Sequence, residues 1–231
     1  MTSASPVKVK ICGIKDDATL EGLLKLDVDY IGFVFARSKR QVQPAEAAPW
    51  IKRIRAYRAD ASGRPLSVGV FVDTTEEELA SLLQVAPLDV VQLHGGESAE
   101  LCGRIKAAFP VRVFKVLSIQ QTEARSEAEI DKLLAAYAGA VDTILLDTHD
   151  PVYGGGSGKT FHWDIIPLYK RIAVAHGLEL IVAGGLNADN VGGLLDNFSP
   201  DGVDVSSGVE TDGSKDMNKI MSFVKRVKRN D

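Results

Sequence analysis

The sequence predicts an α/β protein, a single (β/α)8 TIM barrel spanning 1–231, and three observations predict it. Eight short runs rich in β-branched residues alternate with eight helical patterns. The units recur roughly every 20–40 residues, and a 231-residue chain is close to the typical size of about 250 for this barrel. Several strands alternate between an apolar face and a face whose polar residues end at the strand's carboxyl end. An open doubly wound sheet is the competing architecture.

The elements follow in order. Strand Val7–Ile11 puts Val7, Val9 and Ile11 on one face and Lys8, Lys10 and Cys12 on the other. Helix Ala18–Leu26, strand Tyr30–Phe35 and helix Glu46–Tyr57 come next. The stretch Arg58–Pro65 reads as a solvated loop at the amino end of the barrel. Strand Leu66–Val72 leads to helix Glu76–Val85. Strand Asp89–Leu93 sets Val91 and Leu93 against Gln92 and His94, ahead of helix Ala99–Phe109. Strand Val111–Val116 leads to helix Glu127–Tyr137. Strand Thr143–Leu146 sets Ile144 and Leu146 against Leu145 and Asp147, ahead of helix Ile165–His176. Strand Leu178–Ala183 leads to helix Asn190–Phe198. Strand Gly202–Val205 sets Val203 and Val205 against Asp204 and Ser206, and helix Asp216–Lys228 ends the series. Such alternation implies parallel strands with right-handed crossovers.

The apolar strand faces are expected under the helices and the polar faces inside the barrel. Buried polar groups need partners. Lys10, Lys115 and Asp204 therefore read as one internal ion-pair network, while residues at the strand tips read as functional.

Composition removes several classes of function. The chain carries 27 Lys+Arg against 31 Asp+Glu, a net charge of −4, which is the wrong sign for general nucleic-acid binding. No apolar run approaches the roughly 18 residues of a membrane span. The segment Met1–Pro6 lacks the pattern of a secretory leader. Two cysteines, Cys12 and Cys102, make no disulfide framework, and the expected location is the cytoplasm. The four histidines, His94, His149, His162 and His176, are scattered and give no metal-ligand set.

Three glycine-rich segments follow strand ends. Gly154–Thr160 resembles a Walker A loop only superficially, because Tyr153 stands where its first glycine belongs. A loop folding over a ligand and a plain connector are both compatible with it. Ala183–Leu186 and Ser206–Val209 follow the seventh and eighth strands, where barrels commonly bind phosphate through backbone N–H groups. Asn187 is placed to cap the next helix. Cys12 can serve as a base or nucleophile if its pKa falls below about 8.5. Asp147 ends an apolar strand, where partial burial would keep it protonated as an acid. Arg40 in Ser38–Arg40 can clamp a carboxylate, and His94 reads as scaffold. Cys102 falls on an outer helix far from Cys12, so no disulfide is expected.

These residues lie in stretches that together resemble the phosphoribosylanthranilate isomerase family. The stretches are Val9–Ile14, Gly32–Phe35 with Ser38–Arg40, Val68–Asp73, Val91–Gly95, Leu145–Thr148, Gly155–Phe161, Ala183–Asn187 and Val203–Glu210. They occur in family order along nearly the whole chain. The resemblance implies a cofactor-free, metal-free Amadori rearrangement of a phosphorylated small molecule in tryptophan biosynthesis. It implies Cys12 as general base, Asp147 as general acid, and Arg40 at the anthranilate carboxylate. It assigns phosphate to Gly184, Gly185, Ser207 and Gly208. Some members are fused to other enzymes of the pathway, so the chain can be a segment of a longer polypeptide; a monomer is the default expectation. Three features depart from the family pattern: three glycines at Gly154–Gly156, His162 where aspartate is expected, and a long Arg58–Pro65 stretch. Other phosphosugar barrels such as indoleglycerol-phosphate synthase or ribulose-phosphate 3-epimerase, and a non-catalytic phosphate sensor, are the alternatives.

Overall fold

Side-chain caps set where most helices begin. Asp16 accepts the Thr19 N–H at 2.8 Å and starts α1 (Asp17–Leu23). Thr75 with Glu78 and Ser126 with Glu129 form reciprocal capping boxes at α3 (Glu76–Val85) and α5 (Glu127–Tyr137). Ser98 caps α4 (Ala99–Ala108). Each cap is worth about 1 kcal/mol. The remaining helices are α2 (Pro44–Ala56), α6 (Ile166–Ala175), α7 (Val191–Phe198) and α8 (Met217–Lys228).

The computed structural model describes residues 6–57, 63, 65–119, 125–148 and 162–228. The Gly154–Thr160 segment, His149 and all of Arg58–Pro65 except Gly63 and Pro65 lie outside the described residues. The strands are β1 (Lys8–Cys12), β2 (Tyr30–Val34), β3 (Leu66–Phe71), β4 (Val90–Leu93), β5 (Arg112–Ile119), β6 (Thr143–Thr148), β7 (Glu179–Val182) and β8 (Gly202–Val205). All pair in parallel, in sequence order, and β8 returns to β1 with Asp204 beside Lys10. That closure excludes the open sheet. Two features have no counterpart in the periodicity: a short hairpin, β9 (Glu210–Thr211) with β10 (Ser214–Lys215), and single-turn 3-10 helices at Trp163–Ile165 and Ser207–Val209.

The strand alternation sorts the core into two compartments. Val9, Ile11, Val91, Leu93, Ile144, Leu146, Val203 and Val205 pack in the shell between barrel and helices, as the pattern predicts. Tyr30, Val68, Val90, Phe114, Val116, Leu145, Ile181 and Ala183 form a separate cluster inside the barrel. Burying each such side chain is worth about 1.5–3 kcal/mol.

Three expectations need correction. Lys115 does not join Lys10 and Asp204. Phe114 and Val116 face inward, so a period of two turns Lys115 outward. There its Nζ lies 2.8 Å from Glu97 and 2.7 Å from the Gly95 carbonyl oxygen. Among the described residues Asp204 pairs with Lys10 alone, at 2.9 Å. The β5–β6 ladder also runs further than predicted, through Ser118 beside Asp147 and Ile119 beside Thr148. Asp147 is therefore held inside a strand. Finally, Asn187 caps a turn ahead of α7, not the helix: its Oδ1 accepts the Asp189 and Asn190 N–H groups at 2.9 and 3.1 Å.

Candidate active site

A cavity of about 240 Å³ opens at the carboxyl ends of the strands. Cys12, Arg40, Asp147, Gly184, Gly185, Ser207 and Gly208, separated by up to 196 positions in the chain, all line it.

Cys12 ends β1 on the inward face and is buried. Burial pushes its thiol above the ordinary value, although Lys10 and Lys215 pull the other way. The sequence reading asks for a lowered thiol pKa; burial acts in the opposite direction. Asp147 is buried in β6. Its Oδ1 accepts the Thr148 N–H at 2.8 Å, and its Oδ2 lies 3.4 Å from His94 Nε2. His94 is thus beside the candidate acid and lines the cavity.

Arg40 reaches across from the loop after β2 and is held by Glu210 through two bonds, Nε to Oε1 at 2.6 Å and Nη2 to Oε2 at 2.8 Å. Lys215 on β10 also donates to Glu210 at 2.7 Å and to the Ser206 carbonyl oxygen at 2.8 Å. Ser206 Oγ in turn donates to the Cys12 carbonyl oxygen at 3.0 Å. Burial would raise the Glu210 carboxyl, but its bonds to Arg40 and Lys215 prevail and hold it below the usual carboxylate value. The β9–β10 hairpin thereby anchors the loop after β2 to the loop after β8.

The two glycine loops meet. Gly184 has φ +85°, and a Cβ there would come within 2.7 Å of the Thr148 backbone nitrogen. A Cβ on Gly208 would lie 1.8 Å from the Leu186 carbonyl oxygen. Only glycine permits this approach. It brings the loops after β7 and β8 together as one wall, the arrangement that commonly cradles phosphate in these barrels.

The sequence reading gave too little weight to Gln92 and Asp204. Both are buried and line the cavity. Gln92 Oε1 and Asp204 Oδ1 have no hydrogen-bond partner among the described residues. A polar residue on an inward strand face is the available signal; the sequence reading places Asp204 in an ion-pair network and gives Gln92 no role. Glu210 and Lys215 were missed because only the hairpin brings them to Arg40. Among the described residues, no group of three or more His, Cys, Asp or Glu gathers in a metal-binding cluster, and no helix is long and apolar enough to cross a membrane.

The family model for N-(5'-phosphoribosyl)anthranilate isomerase matches residues 9–226. The isomerase of that name from Brevibacillus brevis is 44% identical over 221 residues, 96% of this chain and 93% of that protein. The crystal structure of phosphoribosyl anthranilate isomerase from Thermotoga maritima superposes with a TM-score of 0.79 at 36% identity, covering 96% of this chain and 99% of that one. A phosphoribosyl anthranilate isomerase in complex with reduced 1-(o-carboxyphenylamino)-1-deoxyribulose 5-phosphate gives a TM-score of 0.74 at 32% identity, again covering 96% and 99%. The chain belongs to the N-(5'-phosphoribosyl)anthranilate isomerase family.

Proposed function

We infer that this chain is the isomerase that converts N-(5'-phosphoribosyl)anthranilate to 1-(2-carboxyphenylamino)-1-deoxyribulose 5-phosphate by general acid–base catalysis, in tryptophan biosynthesis. Family membership establishes the class of reaction. The single observation that carries the residue assignment is that a thiol and a carboxyl group line one cavity with the paired glycine loops.

In this reading Asp147 gives its proton to the furanose ring oxygen. The C1′–O bond breaks and leaves a Schiff base to the anthranilate nitrogen. Cys12, as thiolate, then takes the proton from C2′ to form an enolamine, which tautomerises to the ketone. No bond to a cofactor or metal enters any step. Proton transfer by each group contributes about 10²–10⁴-fold. Backbone N–H groups around Gly184, Gly185, Ser207 and Gly208 take the phosphate. Arg40 uses the donors not engaged by Glu210 for the anthranilate carboxylate. Val34, Val70 and Val72 line the same cavity and offer the aromatic ring an apolar side. Gln92 Oε1 and Asp204 Oδ1 are acceptors suited to sugar hydroxyls.

The enzyme acts on a phosphorylated small molecule as a monomer; among the described residues, the large exposed apolar side chains, Val72, Val85, Val174 and Met221, fall in separate stretches of the chain. Sedimentation at micromolar concentration tests that state, and a dimer would overturn it. Steady-state loss of anthranilate fluorescence from freshly made substrate, in buffer containing EDTA, tests the activity and its independence of added metal. An inactive protein that still binds a product analogue would move the phosphate-sensor reading ahead.

A further inference from the structure

The resting site poses a chemical problem: the sulfur assigned as base is buried, and burial favours its neutral form. The barrel interior directly below holds a cation. Lys10 sits two residues before Cys12 on the same inward face of β1 and is fully buried. Its ammonium donates to Asp204 Oδ2 at 2.9 Å, and its charge favours the ionised form of the Cys12 sulfur. Asp204 comes from β8, paired with Lys10 across the seam that closes the barrel. Its other oxygen is buried, lines the cavity and has no partner among the described residues. A pair serving only to neutralise itself would be expected to leave no spare acceptor.

We propose that Lys10 is the positioning residue that supplies the counter-charge for a Cys12 thiolate, and that Asp204 competes with the sulfur for that ammonium and so sets how readily the base forms. The inference rests on Cys12 being the base. The other charged groups facing the sulfur act in a subordinate way. Lys215, from β10, lowers the thiol less than Lys10 does and is itself neutralised by Glu210. Arg40, from the loop after β2, lines the same cavity but is held in its own pair with Glu210. From β2, Gly32 faces the sulfur, and a Cβ there would lie 2.8 Å from it. Asp147 and His94 line the same cavity on β6 and just beyond β4.

The arrangement predicts shifts of opposite sign. Removing Lys10 deprives the thiolate of its cation and makes the sulfur harder to ionise. Removing the Asp204 charge frees the ammonium and makes it easier. A pair that merely packs the barrel would move the thiol in one direction, or not at all, in both variants.

The test titrates Cys12 directly, by iodoacetamide alkylation rate and ultraviolet thiolate absorbance, in a Cys102→Ser background with a Cys12→Ala/Cys102→Ser blank. Compared with that background, Lys10→Met should raise the midpoint and Asp204→Asn lower it, each by about one unit, which is tenfold in alkylation rate at a fixed pH below the midpoint. The acidic limb of kcat/KM should move with the midpoint in each variant. Shifts in the same direction, or no shift in Asp204→Asn, overturn the proposal. Should Lys10→Met fail to fold, Asp204→Asn and the paired Lys10→Met/Asp204→Asn variant decide it, the latter expected above Asp204→Asn. The alkylation readout does not depend on turnover. Wild-type activity in Cys12→Ala would instead refute the base assignment itself, a separate result.

Discussion

The two ends of the barrel are built from similar residues and treat them in opposite ways. At the amino end, Lys8 bonds Glu179 at 2.6 Å, Arg112 bonds the same carboxylate at 3.0 Å, and Arg112 also donates to the Tyr30 hydroxyl at 3.2 Å. The Arg112 guanidinium lies 5.7 Å from the Phe114 ring centre, and Tyr30 meets that ring edge-on. The polar side chains there answer one another. At the carboxyl end, Gln92 Oε1, Asp204 Oδ1, His94 Nε2 and Thr148 Oγ1 are buried without hydrogen-bond partners among the described residues. An unpaired buried polar atom costs about 1–3 kcal/mol. A fold that satisfies one end and tolerates that cost at the other reserves the second end for a ligand. The contrast teaches that satisfaction, more than polarity, separates scaffold from site.

Variants at the two ends should therefore separate activity from stability. The largest effect is expected at the acid–base pair. Cys12→Ala and Asp147→Asn should each lower kcat by about 10²–10⁴-fold while the thermal midpoint changes little. Turnover near wild type in either would remove that residue from the mechanism. Next, Gly208→Ala must push the loop away from the Leu186 carbonyl oxygen. It should raise KM about tenfold or more with a smaller loss in kcat, because it disturbs the phosphate wall and not the proton transfers. An unchanged KM would break the assignment of that wall.

At the other end, Glu179→Ala leaves Lys8 and Arg112 without their carboxylate. These side chains are about one-third exposed, so the loss in denaturant stability should be modest, about 1 kcal/mol, with kcat/KM within twofold of wild type. A large fall in activity would mean that the two ends are coupled. The smallest effect concerns acid pH. Glu210 is held below its ordinary value, so its pair with Arg40 contributes fully above that value and is lost only as pH falls through the lowered one. Stability measured from pH 7 to pH 3 should lose this contribution only below about 4.5, the ordinary carboxylate range. Glu210→Gln should remove that limb of the profile; a wild-type acid profile in the variant would show that Glu210 does not carry it.

Much of the site was legible because its residue types are uncommon where they occur. A polar residue closing an apolar strand pointed to Cys12 and Asp147, and glycine clusters pointed to the loops after β7 and β8; all of them line one cavity. The approach of His94 to Asp147 is not legible, because a strand pattern does not reveal which strand tips face each other across a barrel. Asp204 was recognised as an inward carboxylate, but only coordinates reveal that one of its oxygens is left over. Lys115 was misassigned because Lys flanked by Phe114 and Val116 permits either parity, and packing chose to bury the two apolar residues inside.

The sequence by itself determined the order of elements, most helix starts and the face each strand turns to the helices. Those depend on local caps and on a period of two or 3.6, which neighbours in the chain suffice to set. Tertiary structure decided what depends on distance through space. Barrel closure set Lys10 beside Asp204, and the β9–β10 hairpin locked Arg40 to Glu210. Burial pushed the Cys12 thiol upward in a cavity whose lining is gathered from both ends of the chain. Electrostatics and hydrogen bonding act over a few ångströms whatever the separation in sequence, so no local pattern could have set them.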